Sequence, residues 1–173
     1  MTVSEVVLVS ISIRKVRSKD VDVKDVIYHI HENDIEVMAN YIFGLPGDSE
    51  KSIRKTFNLS LDLCTSGWNT YAAMALPGSK LYYEAMLNGI KMPDNYVGYS
   101  FHSYNTLPLP TKELSAAQIL SFRDQAFIKY HTNRKFLDRI ENKFGVLAKE
   151  NILNMTKIKL RRKITENQNL INL

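Results

Sequence analysis

The sequence predicts an α/β fold with parallel strands, and three observations carry that expectation. Ala39 to Glu50 (ANYIFGLPGDSE) reads as a short apolar strand, a Gly-Pro-Gly turn and a helix start. The same order returns from Trp68 to Leu87: the strand candidate WNTYAAMAL (Trp68 to Leu76), the turn Pro77-Gly78-Ser79, then a helical Lys80 to Leu87. A repeated strand–turn–helix unit implies parallel strands joined by right-handed crossovers. The last part of the chain carries apolar residues at helical spacing, which adds a helical region after the strands.

Each element has a local reason. Val6 to Ile13 (VVLVSISI) is rich in β-branched residues and is predicted to be a strand, and Arg14 to Asp20 is a charged connector. Asp22 caps a helix from Val23 to Glu32, with Val23, Val26, Ile27 and Ile30 on its apolar face. Asn33-Asp34 turns the chain into a strand over Ile35 to Phe43, which puts Gly44-Leu45-Pro46-Gly47 at a strand's carboxyl end. Gly44 and Gly47 leave room for close backbone approach, and Pro46 stiffens the turn between them. Asp48 or Ser49 caps the next helix, and Glu50 lies in its positive first turn. That helix aligns Ile53, Phe57, Leu61 and Cys64, and Gly67 ends the unit. Asn88 to Gly98 is a connector, and Phe101 to Pro110 (FHSYNTLPLP) is irregular, placed to lie across a pocket mouth. Ser115 and Gln118 form a capping box for a helix carrying Ile119, Phe122, Ala126, Phe127 and Tyr130. Phe136, Leu137, Ile140 and Phe144 mark another helix stopped by Gly145, and Ala148 to Ile164 a third. Asn167 to Leu173 is expected to fray.

A chain of 173 residues makes one domain of ordinary soluble composition, 45% hydrophobic and 24% charged. No apolar run approaches the roughly 20 residues of a membrane helix. Val6 to Ile13 is too short to span and has no signal-peptide cleavage pattern. The single cysteine, Cys64, excludes an intramolecular disulfide framework and fits a reducing cytoplasm. The net charge of +5 is uneven, with Lys149, Lys157, Lys159, Arg161, Arg162 and Lys163 gathered late. Without an aromatic platform or a nucleic-acid fold, this tail is read as a solvated helix packing on the rest of a larger protein, not as a nucleic-acid or membrane binder.

Ligands of α/β folds sit beyond the carboxyl ends of strands, so the Gly44 to Gly47 turn is the first candidate site. His29 and His31 are two apart, point to different helix faces and cannot share a metal. His131 closes a helix, where a positive charge suits the dipole. His102, flanked by Phe101, Ser103 and Tyr104, is read as a packed or solvated loop histidine, with a substrate-facing role from the loop as the alternative. No zinc spacing, P-loop, nucleophile elbow or carboxylate pair is present. No catalytic residue and no metal ligand is assigned, and Cys64 is read as a core residue.

The motifs Gly44-Leu45-Pro46-Gly47-Asp48 (GLPGD) and Ala75-Leu76-Pro77-Gly78-Ser79-Lys80-Leu81-Tyr82 (ALPGSKLY), with the helix between them, resemble the later part of a radical S-adenosylmethionine enzyme core. The closest likeness is to the subgroup that carries a cobalamin-binding domain ahead of that core. It covers Val21 to Gly89, and Tyr99 to Tyr104 with the following helices resemble the carboxyl-terminal extension of such proteins. The resemblance implies an incomplete TIM-type β/α barrel of about three parallel strands over residues 1–98, then a helical extension with a basic tail over 99–173. It implies that Asn40, Ile42 and Gly44 face the adenine of S-adenosylmethionine, that Leu45, Pro46 and Gly47 form the turn beyond, and that Ala75, Leu76 and Pro77 close the pocket. The implied activity is reductive cleavage of S-adenosylmethionine to a 5′-deoxyadenosyl radical, or a cobalamin-assisted radical methyl transfer.

Two departures matter. The family holds a four-iron four-sulfur cluster with three cysteines spaced CxxxCxxC, and this chain has one cysteine. The Glu-Ser-Gly-type element of the family's earlier strand is not found between Met1 and Arg17. The expectation is therefore a carboxyl-terminal portion of a longer protein, such as a gene fragment, split-gene product or truncated piece. Its partner would be the missing amino-terminal half, and it would not be catalytic alone. The rival expectation is a non-catalytic interaction domain using an open sheet edge or the basic tail.

Overall fold

Three strands, β1 (Val6–Ser10), β2 (Glu36–Phe43) and β3 (Gly67–Ala72), form one parallel sheet in sequential order. They are seen in a computed structural model, which describes residues 6–10, 22–166 and 170–173. Val7 pairs with Val37 and Ser10 with Asn40, then Met38 with Gly67 and Phe43 with Ala72. The predicted α/β class with parallel strands is therefore observed. The last residues of the expected first strand and the Arg14 to Asp20 connector lie outside the described residues.

The crossover helices begin where their caps dictate. Helix α1 (Val23–Glu32) starts at Asp22, whose carboxylate accepts from the Lys24 amide at 2.8 Å. Helix α2 (Glu50–Leu63) starts at Ser49, in a reciprocal box with Ser52. It ends at Cys64, a left-handed cap at φ 48°, earlier than the expected stop at Gly67. Gly67 instead opens β3 beside Met38. A Cβ there would crowd the Met38 thioether across the strand pair and lie 3.0 Å from the Met38 Cα, so a larger residue would have to push that side chain aside. Strand β3 stops at Ala72, short of the expected Leu76, because β2 has run out of partners where Gly44 turns away at φ +83°. Ala73 still donates to the Phe43 carbonyl at 2.8 Å, but its own carbonyl accepts from Leu109 at 2.9 Å.

Helix α3 (Lys80–Leu87) is capped by Ser79, and α4 (Ala116–His131) by the Ser115–Gln118 box. Gly145, at φ +87°, separates α5 (Arg134–Phe144) from α6 (Val146–Thr156). The expected helix to Ile164 is thus shorter, and the basic segment after Thr156 leaves the helix. Its physical reason is Arg162. That side chain is buried and donates to Asp124, to the Thr106 hydroxyl and to the carbonyls of Ser103 and Phe101, all between 2.8 and 3.1 Å. A straight helix carrying a solvated basic face cannot turn this group inward.

One face of the sheet is packed. Ala39, Tyr41 and Phe43 of β2 and Trp68 and Ala72 of β3 join Ile53 and Phe57 of α2, Ile119, Phe122 and Tyr130 of α4, and Phe136 and Ile140 of α5 in a single core. Ile27 of α1 packs with Val37 and Leu63 on the same side. Phe122 is fully buried, edge-on to Phe43 at 5.1 Å and to Phe57 at 6.3 Å. Trp68 stacks on Tyr130 at 4.6 Å, and the Tyr130 hydroxyl donates to the Thr65 carbonyl at 2.7 Å. The expected boundary at 98/99 falls within a 3-10 turn (Tyr96–Tyr99), and side chains from both sides of it share this core.

His131 is enclosed by Trp68, Phe127, Tyr130 and Phe136, and its Nδ1 lies 2.8 Å from the Phe127 carbonyl. Burial pushes its pKa below the ordinary imidazole value, against the raising effect of that backbone bond. It is a neutral core residue rather than the cation expected at a helix end.

Two outcomes follow from this packing. Phe122→Ala should cost about 3–5 kcal/mol, a large part of the roughly 5–15 kcal/mol of a whole domain. Urea melts should show it largely unfolded, with a substitution at exposed Lys112 close to wild type. Because His131 binds its proton less readily folded than unfolded, its contribution is complete above the free imidazole pKa of about 6.5 and is lost progressively below it. The urea midpoint should fall between about pH 7 and pH 5, and His131→Gln should flatten that fall. An equal slope in the variant would contradict the assignment.

Candidate functional site

The strands are parallel, so the turns after β2 and β3 lie at the same end of the sheet. The first turn closes on itself. Asp48 accepts from the amides of Gly44 at 3.0 Å and Leu45 at 2.9 Å through one oxygen, and from the Ser52 hydroxyl at 2.9 Å through the other. Ser49, not Asp48, is the helix cap, and Asp48 ties the loop. The two amides best placed to meet a ligand are thus spent within the turn, and Pro46 and Gly47 are exposed at its tip. Gly44 answers to the interior: a Cβ there would lie 2.6 Å from Cγ2 of Ile119. The space that the sequence reading gave to a ligand is filled by α4.

Beyond β3, Ala75 is buried with Ala85 and Leu109 in a separate small core, while Leu76 and Pro77 are exposed. The Leu76 carbonyl accepts from the amide and hydroxyl of Ser79, which starts α3.

The sheet face opposite the helices carries Met38, Asn40 and Ile42 from β2 and Asn69 and Tyr71 from β3. Asn69 Nδ2 donates to Asn40 Oδ1 at 3.1 Å. Ile42, 42% exposed, sits in register with Tyr71, whose ring meets Phe101 at 5.0 Å. A pair of side-chain amides is therefore followed, toward the carboxyl ends, by an aliphatic and an aromatic group. Asn40 and Ile42 share this face, with Leu45, Pro46 and Gly47 beyond it. Asn69 and Tyr71 belong to it too and were not singled out from the sequence. The alternation in WNTYAA signals them only once the pairing with β2 is known.

His102 is exposed and lies elsewhere, in a groove beside α4 and residues 155–165. A second groove of about 530 Å³ runs between α1, α2 and α5, past Tyr28, His31, Asp62 and Lys135. The described buried polar atoms without a protein partner belong to His31, Tyr41, Trp68 and Thr70, none of them a predicted site residue.

At the amino end of the strands, Glu36 is held by Ser66, by Arg139 at 3.1 Å and by Lys143 at 3.3 Å. Burial raises its pKa, but the hydrogen bonds from Ser66, Arg139 and Lys143 outweigh this and hold the carboxyl below its usual range. His31 is pushed down by burial and by Arg139, whose Nη1 lies 3.4 Å from its Nδ1. This network sits at the end opposite the turns and clips α5 to the sheet.

Cys64 is buried, and burial pushes its thiol pKa up. Among the described residues no group of three or more His, Cys, Asp or Glu side chains is placed to hold a metal. The side chains present therefore do not fit an iron–sulfur cluster. No helix among the described residues is long and apolar enough to cross a membrane.

Comparison with protein-family models, with curated proteins and with solved structures finds no match to this chain.

The turn geometry gives a direct test. Gly44→Ala forces a side chain into a left-handed backbone and against Ile119, and should cost more than about 1 kcal/mol in urea melts. Asp48→Ala, which frees two amides, should cost about 1–3 kcal/mol. Unchanged midpoints for both would contradict this account of the turn.

Proposed function

We propose that this chain is the carboxyl-terminal arc of a radical S-adenosylmethionine barrel together with the helices that brace it. One observation carries the reading. The strands run in sequential order with α1, α2 and α4 on one face, while the opposite face, where Tyr71 meets Phe101, leaves Asn40, Ile42 and Asn69 partly exposed, and both Pro-Gly turns stand at one end. A doubly wound sheet would receive helices on both faces. In a β/α barrel the helices take the outer face and ligands meet the carboxyl ends of the strands. The TIM-type origin, the site residues and the parent's reaction are supported by this arrangement together with the GLPGD and ALPGSKLY resemblance.

In this reading Ile42 and Tyr71 offer apolar surface to the adenine of S-adenosylmethionine. The Asn40 and Asn69 amides meet its polar edge, and Leu45 to Gly47 form the rim. S-adenosylmethionine would supply the deoxyadenosyl radical or the methyl group in the parent enzyme. The cluster, and cobalamin in the subgroup this chain resembles, would be held by the missing amino-terminal part. This chain orients one side of the cofactor and does not perform the reaction unaided. The free cysteine fits a reducing cytoplasm.

The rival interaction-domain reading gains little support. The Thr70 carbonyl on β3 accepts from Arg123 at 3.0 Å and the Ala73 carbonyl from Leu109, so that edge is partly capped. The tail is anchored through Arg162.

The test uses S-adenosylhomocysteine, which needs no cluster. At millimolar concentration it should shift the NMR signals of the Asn40 and Asn69 side-chain amides and the Ile42 methyls, and Ile42→Asp should abolish the response. No shift, or shifts confined to other surfaces, would count against the reading. Anaerobic reconstitution with iron and sulfide should leave the chain colourless. A brown protein with about four irons per chain would overturn the assignment of the cluster to the missing part.

A further inference from the structure

Outside the sheet face, α4, the end of α6 and residues 157–165 border a groove of about 440 Å³, within the range of small-molecule sites. Its walls are mostly apolar: Phe127 and Ile128 from α4, Met155 from α6, and Ile158 from the segment after it. Arg123 also lines the groove although it is 92% buried, from a relative exposure of 8%. Its Nε donates to the Thr70 carbonyl at 3.0 Å and its Nη1 to Asp124 at 2.8 Å. Among the described residues its Nη2 has no partner. The guanidinium carbon lies 5.7 Å from the centre of the Phe127 ring, within cation–π range of the aromatic wall.

Charge in the groove is unbalanced in one direction. Asp124 is its carboxylate, and Arg162 takes both of its oxygens, at 2.8 and 3.1 Å. Arg162 has spent its remaining donors on Thr106, Ser103 and Phe101. All of the Arg162 donors are thus used within the fold. Asp124 also accepts from Arg123, so one carboxylate is shared by two arginines and, with Lys159, the groove lining keeps a net positive charge. The unspent donor is not sealed in the protein, so an acceptor lying in the groove can reach it.

We propose that this groove binds an amphipathic monoanion, an aliphatic or arylalkyl chain ending in a carboxylate. The chain would lie along Phe127, Ile128, Met155 and Ile158, and the carboxylate would accept from Arg123 Nη2 and pair with Lys159. The planar guanidinium suits a carboxylate's two oxygens. The proposal is independent of the barrel reading, since no residue of the open sheet face takes part.

The probes are decanoate, decan-1-ol and decylamine, added to the full chain below their micelle concentrations and followed by NMR. Decanoate should shift amides within 121–128 and 155–160 with a saturable curve, while the alcohol should bind at least about fivefold more weakly and the amine not at all. Ile158 is 70% exposed and Lys159 is exposed, so variants there should fold normally, as thermal melts would verify. Ile158→Asp and Lys159→Gln should each weaken decanoate about three- to tenfold. Decylamine binding as well as decanoate, shifts lying outside these segments, or unchanged affinity in both variants would overturn the proposal.

Discussion

The seat of α4 on the sheet is the constraint on which the rest of the structure depends. Three parallel strands with two crossover helices leave part of their apolar face uncovered, and α4 covers it. Phe122 enters between Phe43 and Phe57, Tyr130 stacks on Trp68, and Ile119 drops onto Gly44. Each such side chain contributes roughly 1.5–3 kcal/mol when fully buried. A few of them match the whole net stability of a small domain. The sheet's packed face is thus completed by a helix that is distant in sequence.

Two arginine clusters fix how the carboxyl-terminal region meets the sheet. Arg162 joins Asp124 on α4 to the carbonyls of the 101–106 loop, and Arg139 joins α5 to Glu36 and Ser66 at the amino end of the strands. Buried ion pairs contribute modestly to stability once desolvation is counted, but breaking one partner is expensive. Their effect here is on arrangement: each cluster accepts only the geometry in which its donors are used. The region after residue 98 is for that reason integral to the fold.

The elements legible in the sequence are those set by local chemistry. Helices α1, α3 and α4 begin at Asp22, Ser79 and Ser115 as their caps require, and the turn after β2 follows from Gly-Leu-Pro-Gly. The misplaced boundaries are set from far away. Strand β3 ends where β2 has no more backbone to offer, and the last helix ends so that Arg162 can reach Asp124. The site divides in the same way. Asn40 and Ile42 share a face by alternation within one strand, whereas Asn69 and Tyr71 join them only through the register. Gly44 looked like room for a ligand because Ile119, which occupies that room, is remote in sequence.

The central claim is that this sheet has one packed face and one open face, the open face being where the proposed binding groups lie. Thiol labelling under native conditions tests it most directly, with buried Cys64 as the internal protected reference. A cysteine placed at Asn40 or Asn69 should react within about tenfold of the rate in denaturant, while one at Thr70, on the packed face, should be slowed more than about a hundredfold. Protection at Asn40 and Asn69 equal to that at Thr70 would show that the chain covers both faces, and would contradict the account.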